Sequence, residues 1–247
     1  MKHILAVILT LALALPAGAG RLRDGSRDYL SANLLAIFYH ELGHALIDIM
    51  KLPIFGQEED AADVLSVFLI DALFEGEVAN QMAYDTAYGF LGEVRNNSGY
   101  EPAYWDVHGP DLQRYYTFVC LFYGADAAGR RDLADELDLP EARQETCVDE
   151  YEQAAESWGP VIATLQEAGA GRTIRFLADH RVDEYGRFTA KVLQQEIATM
   201  NKRLSLPKRL LVRVEECGTA NAFYDGKTRE IIMCTEFASY LADIEPD

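Results

Sequence analysis

The chain has 247 residues, of which 49% are hydrophobic and 25% are charged, the composition of an ordinary folded protein. Its net charge of −18 argues against nucleic acid or anionic lipid as a partner, because both carry negative charge. The same charge would favour basic substrates, or simply keep an exported protein soluble.

The first 19 residues have the three regions of a secretory signal peptide. A basic start is followed by the apolar run Ile4–Leu15, which is too short to span a bilayer. Ala17 and Ala19 then supply a cleavage site of the A-x-A type; a buried N-terminal strand or helix is the alternative. We therefore predict cleavage after Ala19, a secreted or periplasmic location without stable membrane insertion, and a single domain over residues 20–247.

Helical periodicity dominates the rest of the chain. Apolar residues spaced by threes and fours predict five helices, at Tyr29–Met50, about Glu58–Met82, Pro110–Gly124, about Pro140–Ala168 and Glu184–Asn201. The stretch Gly92–Pro102 is predicted to be a loop, because it is rich in glycine, asparagine and proline.

The C-terminal part has a different pattern. Leu210–Val214 is a β-type run, and Asn221–Tyr224 and Ile231–Cys234 are two further runs separated by the turn Asp225-Gly226. We therefore expect a mainly α protein with a small antiparallel β hairpin or sheet, an α+β fold.

Four cysteines are present, and an even number in an exported chain favours two disulfides. Local context favours Cys217 with Cys234, which flank the predicted hairpin, and leaves Cys120 with Cys147, although three pairings are open. Four free buried thiols or a second metal site are the alternatives. The cysteines lack the closely spaced pairs that a structural zinc site uses.

The predicted first helix contains the motif His40-Glu41-Leu42-Gly43-His44, which is HExxH. Residues four apart lie on one face of a helix, so both imidazoles can bind one zinc ion. Glu41 is then placed to take a proton from the attacking water. The alternative is a buried helix whose histidines are hydrogen-bonded within the core.

Four acidic residues follow the turn after this helix. Glu59 is predicted to be the third zinc ligand, and Asp63, four residues later, to accept the other ring N–H of a zinc-binding histidine. Glu58 is the rival ligand. Asp60 is predicted to stabilise the helix N-terminus through its charge.

Two residues farther along the chain are weaker candidates for the same site. His108 lies at a predicted loop–helix junction, where its ring N–H would donate to the oxyanion of a tetrahedral intermediate as a catalytic residue. Arg114 would do the same, or pair with Asp63 or another buried carboxylate. For both residues the alternative is an ordinary structural hydrogen bond.

Several segments together resemble a bacterial family of putative metallopeptidases whose substrate is unknown. The resemblance is carried by His40–Asp48, Gly56–Asp63, His108, Gln113-Arg114, Cys120–Gly124, Cys147–Tyr151 and Cys217–Glu236. It implies a zincin-like metallopeptidase core with a gluzincin-like site, in which a glutamate is the third zinc ligand, and it also implies export and disulfides.

The order of the segments departs from this family pattern. The segment that contains Cys217-Gly218 and Asn221–Tyr224 precedes the HExxH helix in the family but follows it here. Only Gly20–Asp28 stands before the helix in the mature chain, which is too short for a sheet. We therefore predict a circular permutation, with the hairpin packed beside His40–His44 and with Asn221 or Tyr224 near the substrate or the oxyanion.

The sequence therefore predicts a zinc-dependent hydrolase with one Zn²⁺, most consistent with a metallopeptidase that acts on peptide or protein substrates. A hydrolase of another amide or of an ester would use the same chemistry. An exported binding module with a catalytically silent zinc site is the alternative from another class. The intact Glu41 argues against it, because a silent site has no need of a base.

Overall fold

The computed structural model describes residues 27–178 and 182–246, so the predicted signal peptide lies outside the described residues. Within them the chain is mainly helical with one small sheet, as predicted. In chain order the elements are α1 (Arg27–Met50), α2 (Glu58–Leu73), α3 (Gly76–Asn96), α4 (Asp111–Ala125), α5 (Arg131–Glu136), α6 (Glu141–Glu167), β1 (Ile174–Ala178), α7 (Glu184–Arg203), β2 (Leu210–Glu215), β3 (Ala222–Asp225), β4 (Glu230–Cys234) and α8 (Thr235–Ile244).

The helix predicted from Glu58 to about Met82 is two helices. The break lies at Glu75, whose backbone is extended, and at Gly76, whose φ of 46° is in the left-handed region that glycine adopts without strain. The predicted loop at Gly92 is also wrong, because α3 continues to Asn96. Gly92 allows the close approach of Ile244 to α3, since a Cβ at position 92 would lie only 2.7 Å from the carbonyl oxygen of Ile244.

The four strands form one mixed sheet in the order β1-β2-β4-β3. The antiparallel hairpin of β3 and β4 is confirmed. The other two pairings are parallel, because β2 pairs in parallel with both β1 and β4, so the sheet extends beyond the predicted antiparallel hairpin. Parallel neighbours need a long crossover, and α7 supplies it between β1 and β2. The sequence pattern did not mark β1, so this βαβ unit was not predicted.

The helix α1 lies at the centre of the fold. It packs against α2, α3, α7 and α8, and also against both strands of the β3–β4 hairpin. The Tyr224 hydroxyl of β3 donates to Asp48 Oδ2 of α1 at 2.8 Å. The predicted packing of the C-terminal hairpin beside the HExxH helix is therefore confirmed.

Both predicted disulfides are present. Cys120–Cys147 joins α4 to α6, and Cys217–Cys234 joins the loop after β2 to the end of β4. None of the described helices has the length and apolar character needed to cross a bilayer.

A buried ionic network holds the helices around α4 together. Arg130 is 8% exposed and its Nη2 lies 2.6 Å from Asp71 Oδ1. Its other N–H groups donate to the Phe122 carbonyl oxygen and to Asn80 Oδ1. The Tyr151 hydroxyl donates to the second oxygen of Asp71 at 2.6 Å. Every charge in this network has a partner, as burial requires.

We expect Arg130→Ala to lower the free energy of unfolding by roughly 3–5 kcal/mol, because it leaves Asp71, whose side chain is only 18% exposed, without its cation. The exposed neighbour Arg131 provides the control, and Arg131→Ala should change this free energy by less than about 0.5 kcal/mol. Urea denaturation followed by circular dichroism measures both. Equal effects of the two substitutions would show that the network does not stabilise the fold.

Candidate metal centre

The two histidines of the HExxH motif lie on the face of α1 that packs against α2. His40 is 3% exposed and His44 is half-buried. Their Nε2 atoms are 3.2 Å apart, as the spacing of four residues on a helix allows. The two imidazoles therefore present their nitrogens to one point between the helices.

A close approach of α1 and α2 brings the acidic residues of α2 to this point. Gly43 stands opposite Ala62, and a Cβ at Gly43 would lie only 2.9 Å from Ala62 Cα. A larger residue at position 43 would force the helices apart. The glycine within HExxH therefore sets the distance from the histidines to Glu59 at the start of α2.

Glu59 completes a cluster of three donor atoms. Its Oε2 lies 3.2 Å from His40 Nε2 and 3.1 Å from His44 Nε2. Two ligand atoms of a tetrahedral zinc ion, each about 2.0–2.2 Å from the metal, are roughly 3.3 Å apart. The spacing of this nitrogen, nitrogen and oxygen set therefore suits zinc. The other such cluster among the described residues contains Cys217 and Cys234, which are joined in a disulfide.

The outer nitrogens of both histidines are held by carboxylates. His40 Nδ1 lies 2.7 Å from Asp63 Oδ1, the type of contact predicted for Asp63. His44 Nδ1 lies 2.8 Å from Glu58 Oε1. Glu58, considered from the sequence only as a rival ligand, thus contacts the side of His44 that faces away from Glu59. Sequence reasoning missed this contact, because it depends on how α2 is rotated against α1.

Arg114 of α4 forms an ion pair with Asp63. Its Nε donates to Asp63 Oδ2 at 2.8 Å and its Nη2 to Asp63 Oδ1 at 2.9 Å, the bidentate geometry of a strong arginine–carboxylate pair. Of the two roles predicted for Arg114, the structure shows the pairing with Asp63.

The cluster stabilises positive charge. Burial by itself would lower the pKa of His40, but hydrogen bonds to Asp63 and Glu59 outweigh burial and raise the pKa to about 9. The contacts of Glu59 with His108, His40 and His44 hold its own pKa far below the usual range. A site with this charge distribution attracts a cation.

Glu41 lies beside His40 and is 5% exposed. Burial raises the pKa of its carboxyl, although the two neighbouring histidines act in the opposite direction. Glu41 lines the same cavity as His40, His44 and Glu59.

His108 reaches the cluster from the segment before α4. Its Nε2 lies 2.9 Å from Glu59 Oε2, and its ring stacks on His40 with centroids 6.0 Å apart. Its Nδ1 is 3.5 Å from Asp106 Oδ1. The structure therefore brings His108 to the predicted site, where it contacts the third donor residue.

A cavity of about 1180 Å³ connects the cluster with the C-terminal hairpin. Asn221 and the first three residues of β3, Ala222, Phe223 and Tyr224, line it, and β3 is an edge strand of the sheet. The Tyr224 hydroxyl is engaged by Asp48. The cavity is also lined by Glu93 of α3 and Tyr240 of α8, which sequence reasoning missed because neither belongs to a local motif.

The chain matches the sequence profile of a known protein family. The sequence profile of a family described as "Putative metallopeptidase" matches residues 19–162 and 179–245. These two segments contain the donor cluster, Glu41, His108, Arg114 and the hairpin. No curated protein and no solved structure matches the chain.

Proposed function

Since the chain belongs to this family of putative metallopeptidases, we propose that it is a zinc-dependent peptidase that hydrolyses polypeptides. The convergence of His40 Nε2 and His44 Nε2 on Glu59 Oε2 carries the proposal. The purified mature protein, incubated with denatured proteins, should cleave them, and a chelator should stop the cleavage until zinc is restored. Zinc-loaded protein that cleaves no denatured protein or peptide would refute the proposal.

His40, His44 and Glu59 are the proposed zinc ligands. In the tautomer that zinc binding requires, the Nδ1–H of His40 would donate to Asp63 and that of His44 to Glu58, which leaves each Nε2 lone pair for the metal. A zinc ion bound there would polarise the substrate carbonyl and lower the pKa of the attacking water.

Glu41 is the proposed general base. It stands next to His40 in the chain and lines the cavity, so its carboxylate can accept the proton of the attacking water. It then passes this proton to the amine that leaves when the peptide bond breaks.

The edge strand β3 is the proposed binding site for the substrate backbone. An extended peptide can add to an exposed strand edge through main-chain hydrogen bonds. The strand β3 lies at the edge of the sheet, and its residues Ala222, Phe223 and Tyr224 line the same cavity as His40. This arrangement favours a polypeptide over a small amide or ester as the substrate, because only a polypeptide uses the strand edge. Asn221, exposed at the start of β3, is proposed to contact the substrate.

His108 is the proposed donor to the oxyanion. Its side chain is 44% exposed, it lines the cavity, and its ring stacks on that of His40. A ring N–H in this position would donate to the oxygen that gains charge in the tetrahedral intermediate. Arg114 is proposed to position Asp63 rather than to contact substrate, because two of its nitrogens already donate to that carboxylate.

We propose that the protein works outside the cytoplasm. Both cysteine pairs are joined in disulfides, and disulfides persist in oxidising compartments. This supports the signal peptide expected from the first 19 residues of the sequence.

We expect Asp63→Asn to weaken zinc binding by roughly 10–100-fold, because His40 loses the carboxylate that orients its ring. Asp60→Asn is the control, since Asp60 is exposed on the first turn of the same helix and should leave the affinity near that of the unmodified protein. Competition with a chromophoric zinc chelator measures both dissociation constants. If the two variants bound zinc equally well, the proposed role of Asp63 would be wrong.

A further inference from the structure

The residues 98–108, here called the rim segment, lie between α3 and α4 and border the cavity. Tyr100 and Glu101 of this segment line the cavity. The segment ends at His108, whose ring contacts Glu59 of the donor cluster. A substrate bound at the proposed zinc site therefore lies beside the rim segment.

The rim segment exposes three large aromatic side chains. Tyr100 is 82% exposed, Tyr104 is 80% exposed and Trp105 is 86% exposed. None of these rings makes a ring contact with another residue in the described part of the chain. Exposed aromatic residues that are grouped in this way, at the border of a cavity, mark a binding surface.

Local hydrogen bonds hold the backbone that carries these rings. The N–H of Tyr104 donates to the Pro102 carbonyl oxygen at 2.9 Å, and the N–H of Asp106 donates to the Ala103 carbonyl oxygen at 2.8 Å. Asp106 Oδ1 in turn accepts the N–H of His108 at 3.1 Å. A segment that is already ordered loses less conformational entropy when it binds a ligand.

Two carboxylates stand next to the aromatic residues, because Glu101 follows Tyr100 and Asp106 follows Trp105. Glu101 is exposed and has no hydrogen-bond or ion-pair partner among the described residues. The side chain of Asp106 is 44% exposed. Arginine and lysine suit both features at once, because the aliphatic stem packs on a ring while the cation faces the ring and a carboxylate.

The cavity wall, as far as the structure describes it, offers these carboxylates no free lysine or arginine. Arg114 is the one residue of these two types that lines the cavity, and its guanidinium donates to Asp63. Glu58 and Asp111 also line the cavity. The potential at the rim segment is therefore negative, which attracts a cationic substrate, and the net charge of −18 acts in the same direction.

We propose that the rim segment binds an arginine or lysine side chain of the substrate, near the scissile bond, through the rings of Tyr100 and Trp105 and the carboxylate of Glu101. The proposal rests on the proposed peptidase function. Because the two rings and the carboxylate are open to solvent, the substrate reaches them without any opening of the core. A neutral side chain of the same length would lack both the cation–π contact and the ion pair.

The test is a binding measurement on zinc-loaded Glu41→Gln protein, which would hold peptides without cleaving them. Two blocked peptides of alanine and glycine are compared, one with a single arginine and the other with citrulline, its neutral isostere, at the same position. At low salt the arginine peptide should bind roughly 3- to 30-fold more tightly, the combined worth of an exposed cation–π contact and an exposed ion pair. The ratio should fall at high salt, because ions screen exposed charges.

Tryptophan fluorescence shows where the peptide binds. The chain has two tryptophans, and Trp158 is buried whereas Trp105 is exposed. Acrylamide should therefore quench mainly Trp105. The arginine peptide should protect Trp105 from this quenching at concentrations at which the citrulline peptide does not.

Substitutions in the rim segment separate the ring from the charge. Glu101→Gln and Trp105→Ala should each bring the ratio of the two dissociation constants closer to one. Trp105→Phe keeps an aromatic ring and should retain part of the preference. Glu145→Gln, at an exposed position on α6, is the control and should leave the ratio unchanged.

The outcomes distinguish this inference from the proposed function. Equal binding of the two peptides, no binding of either, or a preference unchanged by both Glu101→Gln and Trp105→Ala would overturn the inference. Unmodified protein that cleaves peptides without regard to arginine or lysine would also overturn it, while the peptidase function would stand. Selective binding of the arginine peptide, together with no cleavage of any peptide by the unmodified protein, would support the rim segment as a binding site and refute the peptidase function.

Discussion

Glu41→Gln is expected to lower the rate of peptide hydrolysis by roughly 10²–10⁴-fold, because it removes the group that accepts the proton of the attacking water. The amide has nearly the size of the carboxylate, so packing around this buried position should be preserved. Glu41 is not among the three proposed donor residues, and the variant should therefore keep its zinc. The measurements are the rate of cleavage of a fluorogenic peptide library and the zinc content by elemental analysis.

The control for this experiment is Glu145→Gln, a substitution of an exposed glutamate on α6, which should cleave the library at the rate of the unmodified protein. Rapid cleavage by the Glu41→Gln variant would show that another group is the base. A zinc-loaded unmodified protein as inactive as the variant would favour the alternative of an exported binding module with a silent metal site.

The second large effect is expected at the proposed ligands. His44→Ala should reduce the zinc content from about one ion per chain to nearly none, because a catalytic zinc site depends on three protein ligands. Glu59→Ala should also empty the site. Glu58→Ala should retain most of the metal, since Glu58 contacts the outer nitrogen of His44 and not the donor cluster. Elemental analysis after gel filtration in zinc-containing buffer measures all three variants.

The adjacent glutamates 58 and 59 are a matched pair for this assignment. They stand side by side in the first turn of α2, so both substitutions change the charge of the helix N-terminus equally. A site emptied by Glu58→Ala and retained in Glu59→Ala would reverse the ligand assignment. An unmodified protein that takes up no zinc after loading would refute the metal site altogether.

The circular permutation stays a prediction, and one feature of the fold supports it. Glu245, the residue after α8, is near enough to Tyr29 in the first turn of α1 for its charge, together with burial, to raise the pKa of the Tyr29 hydroxyl. The two helices also pack together. Ends that lie this close can be joined, and the chain opened elsewhere, without moving the elements of the core.

Local patterns in the sequence were sufficient for the parts of the molecule that depend on neighbours along the chain. The spacing of His40 and His44 predicts one helical face, because the period of the helix is fixed. The turn residues Asp225-Gly226 predict the β3–β4 hairpin. Glu59 and Asp63 are four residues apart in α2, which predicts that they lie on the same face of the helix. In the structure Asp63 contacts His40 and Glu59 contacts His44.

Tertiary packing alone decided the rest. The contact of Glu58 with His44 depends on the close approach of α1 and α2 at Gly43. His108 contacts Glu59, but no motif or spacing in the sequence links the segments that contain these two residues. The parallel pairing of β2 with β1 and β4 also joins strands from separate parts of the chain. These contacts join residues that are far apart in the sequence. The periodicity of the sequence predicts local secondary structure, but not which side chains of different elements will meet.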